Sequence, residues 1–238
     1  MVKNTLKSLL KKIGLELRRV QKTTPPVLAT QLARHSVDCI FDVGANCGQS
    51  IGYFRALDYS GKIVSFEPIS HLYSQLEQRV TEDSNGVSEK CAIGDSDGMI
   101  SINVSGGHGG ASSILSMSER LRAAAPDQAI THIEKVAMHT VDWAVEKYYP
   151  SGDRLFLKLD VQGYEKQCLL GAKNSLNRIV GIKAEFSLVK NYEGEPLLYE
   201  IIPMLYGYGY YPVSIEEGWS NTQTGELYQV DVCFFRRE

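Results

Sequence analysis

The sequence predicts an α/β fold: a mostly parallel sheet, helices on both faces, and one antiparallel strand near the end. Two observations carry this. From Val37 onward, short strand-like apolar runs alternate with segments of helical periodicity, a pattern that needs right-handed crossovers between parallel strands. Near the C-terminus, two strand-like runs are separated by the turn residues Asn221 to Gly225, so they should pair antiparallel. With 238 residues, 43% hydrophobic and 22% charged, the chain has the make-up of an ordinary globular protein that needs no disulfide staples.

The first 36 residues form a unit of their own, ahead of a main domain over 37–238. In residues 1–20, Val2, Leu6, Leu9, Leu10, Ile13, Leu17 and Val20 recur at helical spacing. Lys3, Lys7, Lys11, Lys12, Arg18 and Arg19 fill the other face against a single acid, Glu16. Two readings stand for this basic amphipathic helix: a terminal helix packed on the domain, or a surface helix drawn to anionic lipid. Thr24-Pro25-Pro26 breaks it and starts a short second helix, about Val27 to His35.

The main domain then reads in order. "VDCIFDV" is a buried strand and "GQSIGYFRALDY" a helix. "GKIVSFEP" is a strand, "SHLYSQLEQRV" a helix, and "GVSEKCAIG" a strand. An irregular middle follows, containing the glycine-rich "SGGHGGASS", Ser105 to Ser113, read either as a disordered surface loop or as a mobile substrate loop. Then come a helix at "TVDWAVEKYY", a strand at "RLFLKLDV", a helix at "YEKQCLLGAKNSL" and a strand at "IVGIKAEFS". "GEPLLYEIIPMLYGY" is mostly helical despite Pro203, and "YYPVSI" and "LYQVDVCFFRR" are the closing pair.

Several function classes are disfavoured. A net charge of −3 and a pI near 6.0 do not point to nucleic acid. The five cysteines are scattered, with no C-x-x-C pair, so they read as reduced thiols of a cytoplasmic protein rather than as a metal site. No apolar run reaches the roughly 20 residues of a membrane span. The expected location is the cytoplasm, with peripheral contact at the inner face of the membrane left open by residues 1–20.

Ligands of open parallel sheets bind beyond the carboxyl ends of the strands. Those ends carry Asp42-Val43-Gly44-Ala45-Asn46, Glu67-Pro68, Ala92-Ile93-Gly94-Asp95, Asp160-Val161-Gln162-Gly163 and Glu185. Gly44 and Gly48 allow a tight turn against a ligand. Glu67 lies 23 positions after Gly44 (67 − 44), at the end of the next strand, where an acid accepts both ribose hydroxyls. In a dinucleotide site the third position of the turn is glycine, but here it is Asn46, which would crowd a pyrophosphate. Asp42 would repel a diphosphate and attract a cation. A nucleoside with a cationic amino-acid tail fits, namely S-adenosylmethionine, with Asp42 toward its amino or sulfonium region.

These residues resemble a known family. "FDVGANCGQS" and "VSFEPIS" look like the cofactor segments of class I S-adenosylmethionine-dependent methyltransferases. "CAIGDSDG", "SSILSM", "HTVDWAV", "LFLKLDVQGYEKQCLLGA", "IKAEFS" and "TGELYQVDVCFFRR" resemble, in order, the FkbM-type methyltransferases, over roughly Val37 to Arg237. The resemblance implies a Rossmann-like seven-stranded sheet whose last strand is antiparallel. It also implies O-methyl transfer to a hydroxyl of a sugar, glycolipid or secondary metabolite, that is, a small-molecule or glycan acceptor. Carried over by position, Asp42, Gly44, Asn46 and Gly48 form the first cofactor segment and Glu67 the ribose acid. Ala92 and Ile93 flank the adenine, Ser112 and Ser113 lie near the cofactor, and Asp160 lies beside the methyl group. Gln162 departs from the glutamate many members have there.

A sugar hydroxyl is a weak nucleophile, so a nearby base helps. Asp160 is the first candidate; its alternative role is to cap the helix that starts near Tyr164. His108, in the glycine-rich loop, is a second candidate. Glu165 reads as a first-turn acid or a substrate contact, and Lys158 as a partner for an acid. Asp160 and Glu185 lack a clear third ligand for a metal, so none is expected. Tyr206, Tyr208, Tyr210 and Tyr211 read as packing, with stacking on a sugar as the alternative. Two rival functions remain: a nucleoside-binding protein without chemistry, and an NAD-dependent oxidoreductase.

Overall fold

The computed structural model describes residues 26–237; the basic helix read over residues 1–20 lies outside them. Strand β1 (Cys39–Val43) is a continuous apolar run interrupted only by Asp42, and all five of its residues are buried, as suits a strand covered on both faces. It pairs in parallel with β2 (Lys62–Phe66) on one side and β7 (Leu155–Leu159) on the other. Around them lie β3 (Gly86–Glu89), β8 (Ile179–Ser187), β9 (Tyr210–Glu217) and β10 (Gln229–Arg236), in the order β3-β2-β1-β7-β8-β10-β9. This is the seven-stranded, mostly parallel sheet expected. β10 runs antiparallel to both β8 and β9, so the closing hairpin inserts one reversed strand.

Alternation along β1 divides the core. Cys39, Phe41 and Val43 join Leu155, Leu157 and Leu159 beneath α5 (Val141–Tyr148), α6 (Glu165–Leu170) and α7 (Leu198–Gly207). Ile40 and Phe156 face the other way, onto α1 (Val27–Arg34), α2 (Gln49–Ala56) and α3 (Ser70–Thr81). Leu28 and Leu32 of α1 are buried in this second core, and His35 stacks on Phe235 at 4.8 Å between ring centroids.

Three expectations need correction. "GVSEKCAIG" is not one strand: β3 ends at Glu89, and β4 (Ala92–Gly94) belongs to a separate three-stranded sheet, β4-β6-β5. The middle is therefore more regular than read. β5 (Gly98–Ser105) and the long β6 (Ile130–Thr140) pair antiparallel, joined in part by α4 (Glu119–Ala124). Ile102, Val104, Val136 and Met138 pack inward on Ile69 and Leu72. Finally, the helix read through "YEKQCLLGAKNSL" stops at Leu170. Gly171 follows, where a side-chain Cβ would lie 2.0 Å from the Gly94 carbonyl oxygen.

The chain runs outward from β1 to β3, then returns to β7 beside β1 and continues to β8. The strand order therefore reverses between β1 and β7, which is where an open sheet of this kind leaves a crevice at its carboxyl edge.

Candidate active site

A cavity of about 530 Å³ lies at that reversal. Its floor is the loop after β1. Gly44 has φ +76°, and a Cβ there would stand 1.9 Å from the Asp160 carbonyl oxygen, so only glycine lets β1 and β7 close here. Asn46 follows in the left-handed region, φ +51°, which asparagine tolerates better than most residues. Its N–H donates to Glu67 Oε2 at 2.8 Å, and its Nδ2 donates to the His108 carbonyl at 3.2 Å. One residue thus ties three loops together.

Glu67 lines the cavity but is only 3% exposed. Its second oxygen, Oε1, accepts the Ile69 N–H at 2.9 Å. Burial pushes its carboxyl up to about 7, against the pull of the two N–H groups and with some help from nearby Asp42. Next to it, Ile69, Leu72, Ala92 and Ile93 make an apolar wall.

The loop from Ser105 to Ser113 is neither loose nor detached. Ser105 N–H donates to Ser112 Oγ at 2.9 Å, and Ala111 N–H donates to Ser105 Oγ at 3.2 Å. Backbone bonds in both directions join Asn103 and Ser113. The loop roofs the cavity, where His108 is an exposed lining residue.

Asp160 sits at the end of β7, its N–H bonded to the Val43 carbonyl at 3.0 Å. It does not cap the helix after it. No side chain caps that helix; its first residue, Glu165, instead ties the loop before it, its Oε1 accepting from Val161 N–H at 3.0 Å and Gly163 N–H at 3.3 Å. Glu165 is buried, and burial raises its carboxyl to about 7. Asp160 Oδ1 instead accepts from Gln162 Nε2 at 2.9 Å, and the same nitrogen lies 2.9 Å from Glu185 Oε2. Gln229 Nε2 also donates to Glu185 Oε2, at 2.7 Å, and the Tyr192 hydroxyl donates to Gln162 Oε1 at 2.9 Å. Burial, then the charge of Asp160, holds Glu185 well above the usual carboxylate range. The Gln162 amide therefore stands between the two acids that a metal would have to share. Among the described residues, no three His, Cys, Asp or Glu side chains gather as a metal centre requires.

Of the residues singled out in the sequence, Gly44, Asn46, Glu67, Ala92, Ile93, His108, Ser112 and Asp160 come together on the cavity. Three others stand behind its wall. Gly48 is the left-handed cap of α2, pressed on Leu76. Ser113 donates to the Gln162 carbonyl at 2.7 Å. Asp42 is fully buried, 2.9 Å from Lys158 Nζ, so Lys158 does pair with an acid. Tyr210 is buried in the main core and donates to the Ile179 carbonyl at 2.8 Å; none of the four clustered tyrosines lines the cavity.

Sequence reading missed the far wall: Asn191, Tyr192, Trp219 and Gln229. They lie in or beside irregular segments, and only Gln229, a polar start to an apolar strand, carried a local signal. Asn191 is fully buried, and its Oδ1 has no hydrogen-bond partner among the described residues.

A family model described as the methyltransferase FkbM domain matches residues 42–212. No curated protein matches the chain. Among solved structures, it resembles a provisionally assigned O-methyltransferase from Klebsiella pneumoniae, at 9% identity over 99% of this chain and 89% of that one, with a TM-score of 0.49. An rRNA methylase from Streptococcus thermophilus is 9% identical over 92% of this chain and 100% of that one, with a TM-score of 0.46. TrmK from M. capricolum, in complex with S-adenosyl-homocysteine, is 8% identical over 89% of this chain and 68% of that one, with a TM-score of 0.47.

Proposed function

The chain belongs to the FkbM methyltransferase family, whose cofactor is S-adenosylmethionine, and from that premise we propose that it methylates a hydroxyl oxygen of a small-molecule or glycan acceptor: a sugar, glycolipid or secondary metabolite. The observation that carries the reading is Asp160, a half-exposed carboxylate that lines the cavity at the end of the central strand β7. On one side of it lie a glycine turn and a buried acid. On the other lies a wall of amides and aromatic rings.

The residues on the β1–β2 side fit the cofactor. The Gly44 turn leaves backbone open where a side chain would collide. Each Glu67 oxygen accepts one N–H and keeps a second acceptor position for a ribose hydroxyl. Ile69, Leu72, Ala92 and Ile93 offer an apolar slot for the base. When bound, S-adenosylmethionine supplies an activated methyl group on a sulfonium leaving group.

On the β8–β10 side, Trp219 and Tyr192 supply aromatic surface, and Gln229 and Glu185 supply hydrogen-bonding edges, a lining suited to a polyhydroxylated ring. Asp160 orients the acceptor hydroxyl and takes its proton as the oxygen gains its new bond. Gln162 keeps Asp160 in place for this, and the roof loop excludes water. His108 is the second choice as base.

The test is release of S-adenosylhomocysteine from S-adenosylmethionine against a panel of glycosides, glycolipids and hydroxylated metabolites, with NAD(H) titrated in parallel. Turnover on a hydroxyl acceptor supports the reading. Turnover only on added ribosomal or transfer RNA, or binding of NAD(H) without S-adenosylmethionine, contradicts it.

A further inference from the structure

Glu185 stands near the end of β8, one strand beyond Asp160. Two amides hold one of its oxygens: Gln162 Nε2 at 2.9 Å and Gln229 Nε2 at 2.7 Å both donate to Oε2. The other oxygen, Oε1, has no hydrogen-bond partner among the described residues, yet it is not one of the atoms sealed away without one. The residue is half-buried and lines the cavity, so Oε1 is the oxygen left for a ligand. The nearby cations are engaged elsewhere. Lys158, which also lines the cavity, lies 2.9 Å from Asp42 Oδ1 and 3.6 Å from Asp160 Oδ2. Lys183 lies 3.6 Å from both Glu216 and Asp231.

Gln162 fixes where Glu185 stands relative to Asp160. Its Nε2, bonded to Glu185, lies 2.9 Å from Asp160 Oδ1 as well. Only a donor can stand between two carboxyl oxygens, which sets the orientation of the amide. The Tyr192 hydroxyl donates to Gln162 Oε1 at 2.9 Å and the Ser113 hydroxyl to the Gln162 carbonyl at 2.7 Å. The two carboxyl groups are therefore spaced before any acceptor arrives, which lowers the cost of binding one. A ligand group at Oε1 must also match it chemically. With two N–H groups on Oε2, Oε1 presents a lone pair when Glu185 is ionised and the proton when it is not. A hydroxyl donates to the first form and accepts from the second. A phosphate or carboxylate would meet the charge of Asp160 too. Hydroxyls on adjacent carbons lie close together, as do two carboxyl groups that share one nitrogen.

We propose that Glu185 selects the acceptor: while Asp160 engages the hydroxyl that is methylated, Glu185 Oε1 binds the hydroxyl on the adjacent carbon, so that the acceptor is a vicinal diol. The inference rests on the reading of Asp160 as the residue that receives the reacting hydroxyl. It narrows the acceptor from any hydroxyl compound to sugars, polyols and catechols. It also fixes the product as one whose methoxy group has a free hydroxyl beside it.

The test measures kcat/KM of the full chain with S-adenosylmethionine on paired acceptors. These are the phenyl pyranosides of glucose, mannose and galactose, each against its monodeoxy analogues, and catechol against phenol. The wild type should methylate a diol roughly fivefold to a hundredfold more efficiently than the partner lacking the neighbouring hydroxyl, the worth of one hydrogen bond to a carboxyl group. Glu185→Ala should abolish this preference, mainly by raising KM for the diol. Glu185→Gln, which keeps a polar contact through its amide, should retain part of it. Equal efficiency of the wild type on a diol and its deoxy partner overturns the proposal, and that comparison needs no variant. A preference that survives Glu185→Ala overturns it, and so does an equal loss on both partners, the mark of a purely structural role. No transfer to any of these acceptors, or undiminished transfer by Asp160→Asn, overturns the underlying reading, and the proposal falls with it.

Discussion

Lys158 Nζ lies 2.9 Å from Asp42 Oδ1, and the two side chains are 15% and 0% exposed. A pair buried this deeply stabilises only while both partners are present, because either one alone is an uncompensated charge in a poor solvent. Asp42→Asn should therefore destabilise the fold by about 3–5 kcal/mol. The double change Asp42→Asn with Lys158→Met should recover much of that loss. Chemical denaturation of the two variants and the wild type checks it; a double variant less stable than Asp42→Asn would contradict it.

Glu67 gives a pH-dependent affinity. Its carboxyl is raised to about 7 by burial, so below that pH it holds a proton. Ribose hydroxyls donate to the ionised form and favour it. S-adenosylmethionine should then bind more tightly at pH 8 than at pH 6 and release a proton on binding below pH 7. Calorimetry in buffers of different ionisation heat reads both quantities, and affinity that is flat or falls with pH removes Glu67 from the ribose site. Glu67→Ala should weaken binding by about 1–3 kcal/mol.

The same two buried acids, Glu67 and Glu165, set a trend in stability without ligand. Both are raised from an ordinary value near 4.5 to about 7. Between these values the folded state holds protons that the unfolded chain has released. Their contribution therefore makes the fold less stable as pH rises from about 4.5 to about 7. Melting curves of Glu165→Gln and the wild type across this window isolate the effect: the wild type should show the larger loss with rising pH, and equal slopes would contradict it.

Gly44 should tolerate no side chain. Gly44→Ala forces a left-handed backbone on alanine, about 1–3 kcal/mol by itself. It also drives a Cβ to 1.9 Å from the Asp160 carbonyl oxygen. Thermal melting should show a clear loss, with cofactor affinity falling in the protein that still folds. A variant that melts and binds like the wild type would mean that β1 and β7 are not so close.

Helix α1 is part of the second core rather than a tether. Leu28 and Leu32 are 3% and 4% exposed, and burying them stabilises by roughly 3–6 kcal/mol together. A chain starting at residue 37 should be less stable by about that amount than one starting at residue 26. Equal denaturation midpoints would show that the helix packs only loosely.

What was legible in the sequence is what periodicity and strand ends record. The β1–α2–β2 unit, the acid after each strand and the reversed β10 follow from runs such as "CIFDV" and from the turn between the last two strands. The β4-β6-β5 sheet was missed although Ile100, Ile102 and Val104 alternate as a strand should, because the neighbouring glycines suggested a loop. Sequence shows the acid Asp42 and not its partner; Lys158 lies 116 positions later (158 − 42), on a neighbouring strand. The far wall was unreadable because Asn191, Tyr192 and Trp219 come from irregular segments, where position depends on tertiary packing.

The most direct measurement follows the label in the methyl group. S-adenosylmethionine carrying a 13C methyl is turned over with the acceptor found in the panel, and NMR of the product identifies the atom that received the label. The expected product has its labelled methyl carbon bonded to a hydroxyl oxygen of the acceptor, formed by the wild type and sharply reduced in Asp160→Asn. A label on nitrogen, carbon or sulfur, or undiminished transfer by Asp160→Asn, would contradict it.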